Sequence, residues 1–152
     1  MTEKLVLKNL LTHEPPMLLL SSVVSVDDEG SCCEAFVSKD MLFVDDNGDL
    51  PGWVGIELMA QTIAVWGGRY SENENREVRI GLLLGSRKYE SQAEVFPAGS
   101  NLIVNAEKII LDGNLGVFKC TITLKGKIVA NAHVNTYLPD KAELQQIMKR
   151  DF

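Results

Sequence analysis

Residues 51–66, Pro-Gly-Trp-Val-Gly-Ile-Glu-Leu-Met-Ala-Gln-Thr-Ile-Ala-Val-Trp, are apolar on nearly every side of a helical projection and carry one charge, Glu57. A helix without a polar face has to be buried all round, so the remainder of the chain must enclose it. Pro51 and Gly52 open the helix. Gly67-Gly68 is expected to close it, because glycine commonly ends helices. Within this run Glu57 matters most. Burying an unpaired ionised carboxyl costs several kcal/mol, so such a group pairs or takes up a proton. General acid–base catalysis makes use of a carboxyl placed in this way.

The flanking sequence reads as the enclosure. Residues 17–26 and 31–38 read as strands on either side of the Asp27-Asp28-Glu29-Gly30 turn. Strand-like runs follow at about 78–90, 101–112, 115–124 and 127–137. Asp112-Gly113-Asn114 and Lys125-Gly126 are tight turns, so the last three runs are expected to form an antiparallel meander. Residues 4–11 show a short helical pattern stopped by His13-Glu14-Pro15-Pro16, and residues 140–149 read as a charged, exposed helix. The expected architecture is α+β: a curved, largely antiparallel sheet of about six strands around one long buried helix, in one domain spanning 1–152 with a core of about 5–138. Such a sheet leaves an edge and an open face, which favours dimerisation.

Composition narrows the function classes. The chain is 45% hydrophobic and 24% charged, within the range of ordinary globular domains. A net charge of −6 argues against a nucleic-acid surface, although Arg76, Arg79, Arg87 and Lys88 can form a local basic patch. Nowhere do 18 apolar residues run uninterrupted, and Met-Thr-Glu-Lys-Leu does not begin a targeting signal. Cys32, Cys33 and Cys120 have no disulfide-framework spacing, and reduced thiols in a cytoplasmic protein are expected. Cys32 and Cys33 adjoin like a metal or redox pair, but neighbours on a strand point to opposite faces. With His13 and His133 far apart, no metal site is expected, and no phosphate loop or nucleophile elbow is present. Asp45-Asp46-Asn47-Gly48-Asp49 lacks the ligand alternation of a calcium loop and reads as a solvated turn.

Four stretches carry a family resemblance. They are Leu10 to Leu19, Pro51 to Gln61, Ser86 to Tyr89 with Val95 to Gly99, and Lys125 to Ala132. In this order they resemble the hotdog-fold 3-hydroxyacyl-acyl-carrier-protein dehydratases, over roughly residues 5–138. The helix segment Pro51-Gly52-Trp53-Val54-Gly55-Ile56-Glu57 is similar to a divergent hotdog branch associated with polyene-pigment pathways. The resemblance implies a homodimer, or a heterodimer with a hotdog paralogue, and an acyl-carrier-protein thioester substrate with no cofactor. It implies that Glu57 is the catalytic acid, that the Gly52 N–H polarises the thioester carbonyl and that Gln61 orients Glu57 from one turn beyond. Trp53 becomes a candidate lining of the acyl tunnel, while Arg87 and Lys88 become candidates for meeting the acidic carrier or its phosphopantetheine.

The chain departs from the family pattern ahead of the helix, where the loop from Val44 to Leu50 is about three residues shorter and the catalytic histidine is missing. Counting back from Glu57 to the position of the family's catalytic histidine lands on Phe43. His13 is the remaining candidate base, reaching the site from the start of the first strand. The expected reaction is elimination of water from a 3-hydroxyacyl thioester to give a trans-2-enoyl thioester. The alternatives are a non-catalytic dehydratase-like partner or acyl-binding module, and a hotdog thioesterase using Glu57 alone.

Overall fold

The computed structural model describes residues 17–73, 82–113 and 115–137, with the side chains of 70–73 and 82–87 outside the description. In chain order the elements are β1 (Ser22–Asp27), β2 (Gly30–Phe36), β3 (Leu50–Pro51), a 3-10 turn (Gly52–Val54) running into α1 (Gly55–Asn73), β4 (Leu82–Ser91), β5 (Val95–Phe96), β6 (Asn101–Asp112), β7 (Leu115–Leu124) and β8 (Lys127–Tyr137). Six strands form one antiparallel sheet in the order β1-β2-β6-β7-β8-β4, and β3 pairs with β5 in a separate short ribbon. The expected terminal helices at 4–11 and 140–149 lie outside the described residues.

The meander β6-β7-β8 has the expected boundaries, because its turns are written in the local sequence. Lys125 (φ 52°) and Gly126 (φ 78°) both adopt the left-handed conformation that a two-residue hairpin turn demands. At the other early turn, Asp27 Oδ1 accepts the N–H groups of Glu29 (2.8 Å) and Gly30 (3.1 Å). Alternation then sorts each strand into two faces. Leu102, Val104 and Ala106 of β6, Phe118, Cys120 and Ile122 of β7, and Ala130, Ala132 and Val134 of β8 are buried. Asn105, Glu107, Lys119, Asn131 and His133 are exposed on the opposite face. Cys33 is buried and Cys32 half-buried, so the two thiols do point apart. Burial pushes the thiols of Cys33 and Cys120 up to about 12, which leaves them protonated and unreactive.

Helix α1 packs on β2 and β6, with smaller contacts to β1, β4, β7 and β8. Leu58, Met59, Val65 and Trp66 join the core, and Trp66 meets Phe118 edge-on with ring centroids 5.2 Å apart. Two expectations change here. The helix does not stop at Gly67-Gly68 but continues to Asn73. Both glycines are buried, and packing against the sheet outweighs the roughly 1 kcal/mol per residue by which glycine disfavours a helix interior. The first strand begins at Ser22 rather than at residue 17, because the segment from Met17 to Leu20 is tied to α1 instead of to β2.

Candidate functional site

The start of α1 is built from three directions. Leu50 and Pro51 pair with Phe96 and Val95, which anchors the chain as it enters the helix. Pro51 (φ −57°, ψ 141°) is the residue before the first turn, and no side chain caps it. Gly52 donates its N–H to the carbonyl of Glu94 at 2.7 Å. A methyl group at Gly52 would run into the backbone carbonyl of Ala93, so the close approach of the two segments requires glycine.

That bond bears on one expectation. The Gly52 N–H is committed to Glu94 and points into the β3–β5 side. In this arrangement it is engaged and does not face outward from the helix start. The N–H groups of Trp53 and Val54 stand next in the same first turn, where a helix offers no carbonyl of its own.

Glu57 lies in the first turn of α1, where the helix dipole favours a negative charge. Its Oε1 accepts a hydrogen bond from Gln61 Nε2 at 3.1 Å. Gln61 is fully buried. Its Nε2 also donates to the Met17 carbonyl at 2.7 Å, and its Oε1 accepts the Leu19 N–H at 2.9 Å. These partners fix which end of the amide is which. One side chain therefore joins the carboxyl of Glu57 to the stretch that enters β1.

Trp53, Glu57 and Gln61 follow at intervals of four and form one stripe along the helix. The stripe runs from outside to inside: Trp53 is 61% exposed, Glu57 half-buried and Gln61 buried. Phe43 packs edge-on against Trp53, with centroids 5.4 Å apart. Phe43 sits in a turn with φ 77°, the left-handed region that β-carbon-bearing residues rarely adopt. The position that counting reserved for a histidine thus holds an aromatic ring directed at the helix start. Among the described residues nothing encloses Trp53, and most of its surface is open.

The other candidate residues divide as follows. His13 lies outside the described residues. Lys88 is exposed, and the backbone of Arg87 stands opposite His133 in the β4–β8 register, with its side chain outside the description. His133 is exposed on the sheet face opposite the buried row of β8 and is a sheet residue. Among the described residues no group of three or more His, Cys, Asp or Glu side chains is arranged to hold a metal, and no helix is long and apolar enough to cross a membrane.

One participant was not singled out from the sequence. The Tyr89 hydroxyl donates to the carbonyl of Gly52 at 2.5 Å. Burial holds its phenol above the usual range, with a hydrogen bond to Ser91 acting in the opposite direction. A methyl at Gly55 would collide with this hydroxyl and approach Ile122 Cδ1 at 3.0 Å. The visible trace of Tyr89 in the sequence is therefore the second glycine of Gly52-Trp53-Val54-Gly55, a residue that helix propensity alone disfavours.

A six-stranded antiparallel sheet laid on one central helix, with an acid in the first turn of that helix, is the architecture of a hotdog domain. The comparisons narrow the class: the ApeP-like dehydratase family model matches residues 5–149, and the chain belongs to that family. A chain of the dehydratase heterocomplex ApeI:P from Xenorhabdus doucetiae superposes with a TM-score of 0.88 at 35% identity, covering 96% of this chain and 99% of that one. The 3-hydroxyacyl-[acyl-carrier-protein] dehydratase FabZ of Listeria welshimeri is 28% identical over 142 residues, 88% of this chain and 94% of the relative. A hypothetical thioesterase protein from Streptococcus pneumoniae, solved with coenzyme A, shares the fold at a TM-score of 0.63 and 14% identity, covering 78% and 85%.

Proposed function

We propose that this dehydratase acts on a 3-hydroxyacyl thioester carried by an acyl carrier protein, with Glu57 as its acid and with a second hotdog chain completing the site. The stripe Trp53–Glu57–Gln61 is the observation that carries the reading: an aromatic mouth, a half-buried carboxyl and a buried amide holding that carboxyl in one orientation. The relative from Listeria welshimeri is named for a 3-hydroxyacyl-carrier-protein substrate, and the similar solved chain comes from a heterocomplex. The first favours the thioester substrate and the second favours a pair of chains over an isolated subunit.

In the proposed reaction a base removes the proton from C2, and the electron density moves onto the thioester oxygen. The Trp53 N–H, at the start of the helix, stabilises that oxyanion. The C2 electron pair then forms the C2–C3 double bond as the C3–O bond breaks. Glu57 delivers a proton to the departing oxygen, and water leaves. His13 of the second chain is the proposed base. Arg87 and Lys88 are proposed to meet the acidic carrier or its phosphopantetheine. Phe43 supports a second reading, because the position expected to hold a histidine carries no proton-transfer group. In that reading the base comes from a hotdog paralogue, and this chain contributes the acid.

The test is turnover of a 3-hydroxyacyl-carrier thioester by wild type alone, by wild type with a hotdog paralogue, and by Glu57→Gln and His13→Ala. Loss in both variants supports the pair of residues. Loss in Glu57→Gln alone, with activity dependent on the paralogue, supports a base supplied by the partner. Full activity of Glu57→Gln would refute the role of Glu57.

A further inference from the structure

We infer that Tyr89 is a positioning residue for the dehydration. It holds the peptide between Gly52 and Trp53 so that the Trp53 N–H is presented as the carbonyl-polarising donor. The inference rests on the reading under Proposed function and adds to it a residue at the opposite edge of the sheet.

The geometry comes from β4. Arg87 pairs with His133 and Glu90 with Asn131, so Lys88 and Tyr89 together oppose Ala132 alone. This is a β-bulge, which bends a strand and re-aims its side chains. Lys88 takes φ 55° to make it, a conformation that costs a non-glycine residue energy. The result is that Tyr89 turns against the core and its hydroxyl reaches the Gly52 carbonyl.

That carbonyl has two donors. Gly55 donates its backbone N–H to the same oxygen, closing the 3-10 turn. With both bonds made, the Gly52 oxygen is tied toward the interior. A trans peptide sets its N–H opposite its C=O, so the Trp53 N–H points outward from the helix start. Donation to the oxygen of a peptide also polarises the unit and strengthens its N–H as a donor, by ~10–30% per bond. The neighbouring Gly52 N–H is spent on Glu94 and cannot substitute. Gly55 completes the device, because only a residue without a β-carbon leaves room for the phenol. The bulge that carries Tyr89 and the paired glycines Gly52 and Gly55, far apart in the sequence, thus serve one peptide group.

Tyr89→Phe removes the hydroxyl and keeps the ring. The variant is compared with wild type, in whichever assembly turns over, by steady-state kinetics and by the infrared stretch of a 13C-labelled carbonyl in a bound trans-2-enoyl pantetheine thioester. The expected result is a kcat lower by about tenfold with KM unchanged, short of the ~100- to 1,000-fold lost when an oxyanion donor is removed outright. The carbonyl stretch, displaced to lower frequency in wild type, should be displaced less in the variant. Incorporating 3-fluorotyrosine, a stronger donor, at position 89 should restore the displacement. A merely structural role would not move a carbonyl frequency. A Tyr89→Phe protein that matches wild type in kcat and carbonyl frequency overturns the inference alone. A wild type that neither turns over nor shifts the carbonyl removes the underlying reading, and the inference with it.

Discussion

Replacing Gln61 by leucine tests the centre of the site with little change in volume. Three hydrogen bonds are lost. The Leu19 N–H is buried and would have no other acceptor, a cost of about 1–3 kcal/mol. The Met17 carbonyl belongs to an exposed residue and can turn to water, so its loss costs on the order of 0–1 kcal/mol. Glu57 is half-buried, and its lost bond adds about 0.5 kcal/mol once solvent screening is allowed for. Against this, a leucine in the buried slot returns about 1 kcal/mol of apolar transfer. The net is a destabilisation of about 2 kcal/mol, between about 0.5 and 3.5 at the extremes of these figures. With a urea dependence of roughly 2 kcal/mol per molar, the unfolding midpoint should fall by about 1 M. Hydrogen exchange should show protection lost first at the Leu19 amide. Gln61→Glu makes the complementary case, because it keeps an acceptor for Leu19 but places a second carboxyl beside Glu57. The introduced carboxyl would be held above its ordinary range in the folded state. The folded form would then bind more protons than the unfolded one, so this variant should regain stability as the pH falls. A Gln61→Leu midpoint within about 0.3 M of wild type would refute the amide clamp.

Other outcomes follow from the same geometry. Gly55→Ala should cost about 1–3 kcal/mol by overpacking, and Tyr89→Phe in that background should recover part of it. A double-mutant cycle by denaturant unfolding with no coupling would place the hydroxyl elsewhere. Cys33 and Cys120, each pushed from 9.0 to about 12 by burial, bind their protons more tightly in the folded state. Their contribution to stability is full below pH 9.0 and should be lost as pH rises toward about 12, and at pH 8 a thiol reagent should label both only after denaturant is added. Trp53→Ala should change the stability of the chain by no more than ~0.5 kcal/mol, because the ring is exposed, yet weaken association with a hotdog partner by ~2 kcal/mol or more. Analytical ultracentrifugation against subunit concentration reads the second effect, and unchanged association would remove Trp53 from the interface.

Much of the fold is legible in local sequence, and the limits of that legibility have physical causes. The meander boundaries follow from turn residues that accept positive φ and from strict alternation, both of which act within a few residues. The length of α1 does not follow, because Gly67-Gly68 signals a stop that burial against the sheet overrides. Glu57 and Gln61 meet as their spacing of four requires, whereas the tie from Gln61 to Met17 and Leu19 crosses more than forty residues and has no local signature. The partner of the Gly52 N–H was hidden for a similar reason: it is Glu94, brought close by the β3–β5 ribbon.

What the sequence determined by itself is the kind of protein: an apolar helix that must be enclosed, strands with turns to enclose it, and one carboxyl set on that helix. Periodicity and turn chemistry are local, so they survive being read one segment at a time. Only the tertiary structure decided what each group at the helix start does. It gave the Gly52 N–H to Glu94, the Gly52 oxygen to Tyr89 and Gly55, and the Gln61 amide to both Glu57 and the approach to β1. A hydrogen bond between segments distant in sequence depends on where the sheet delivers its strands, and here a bulge at Lys88 and a two-residue ribbon made that delivery.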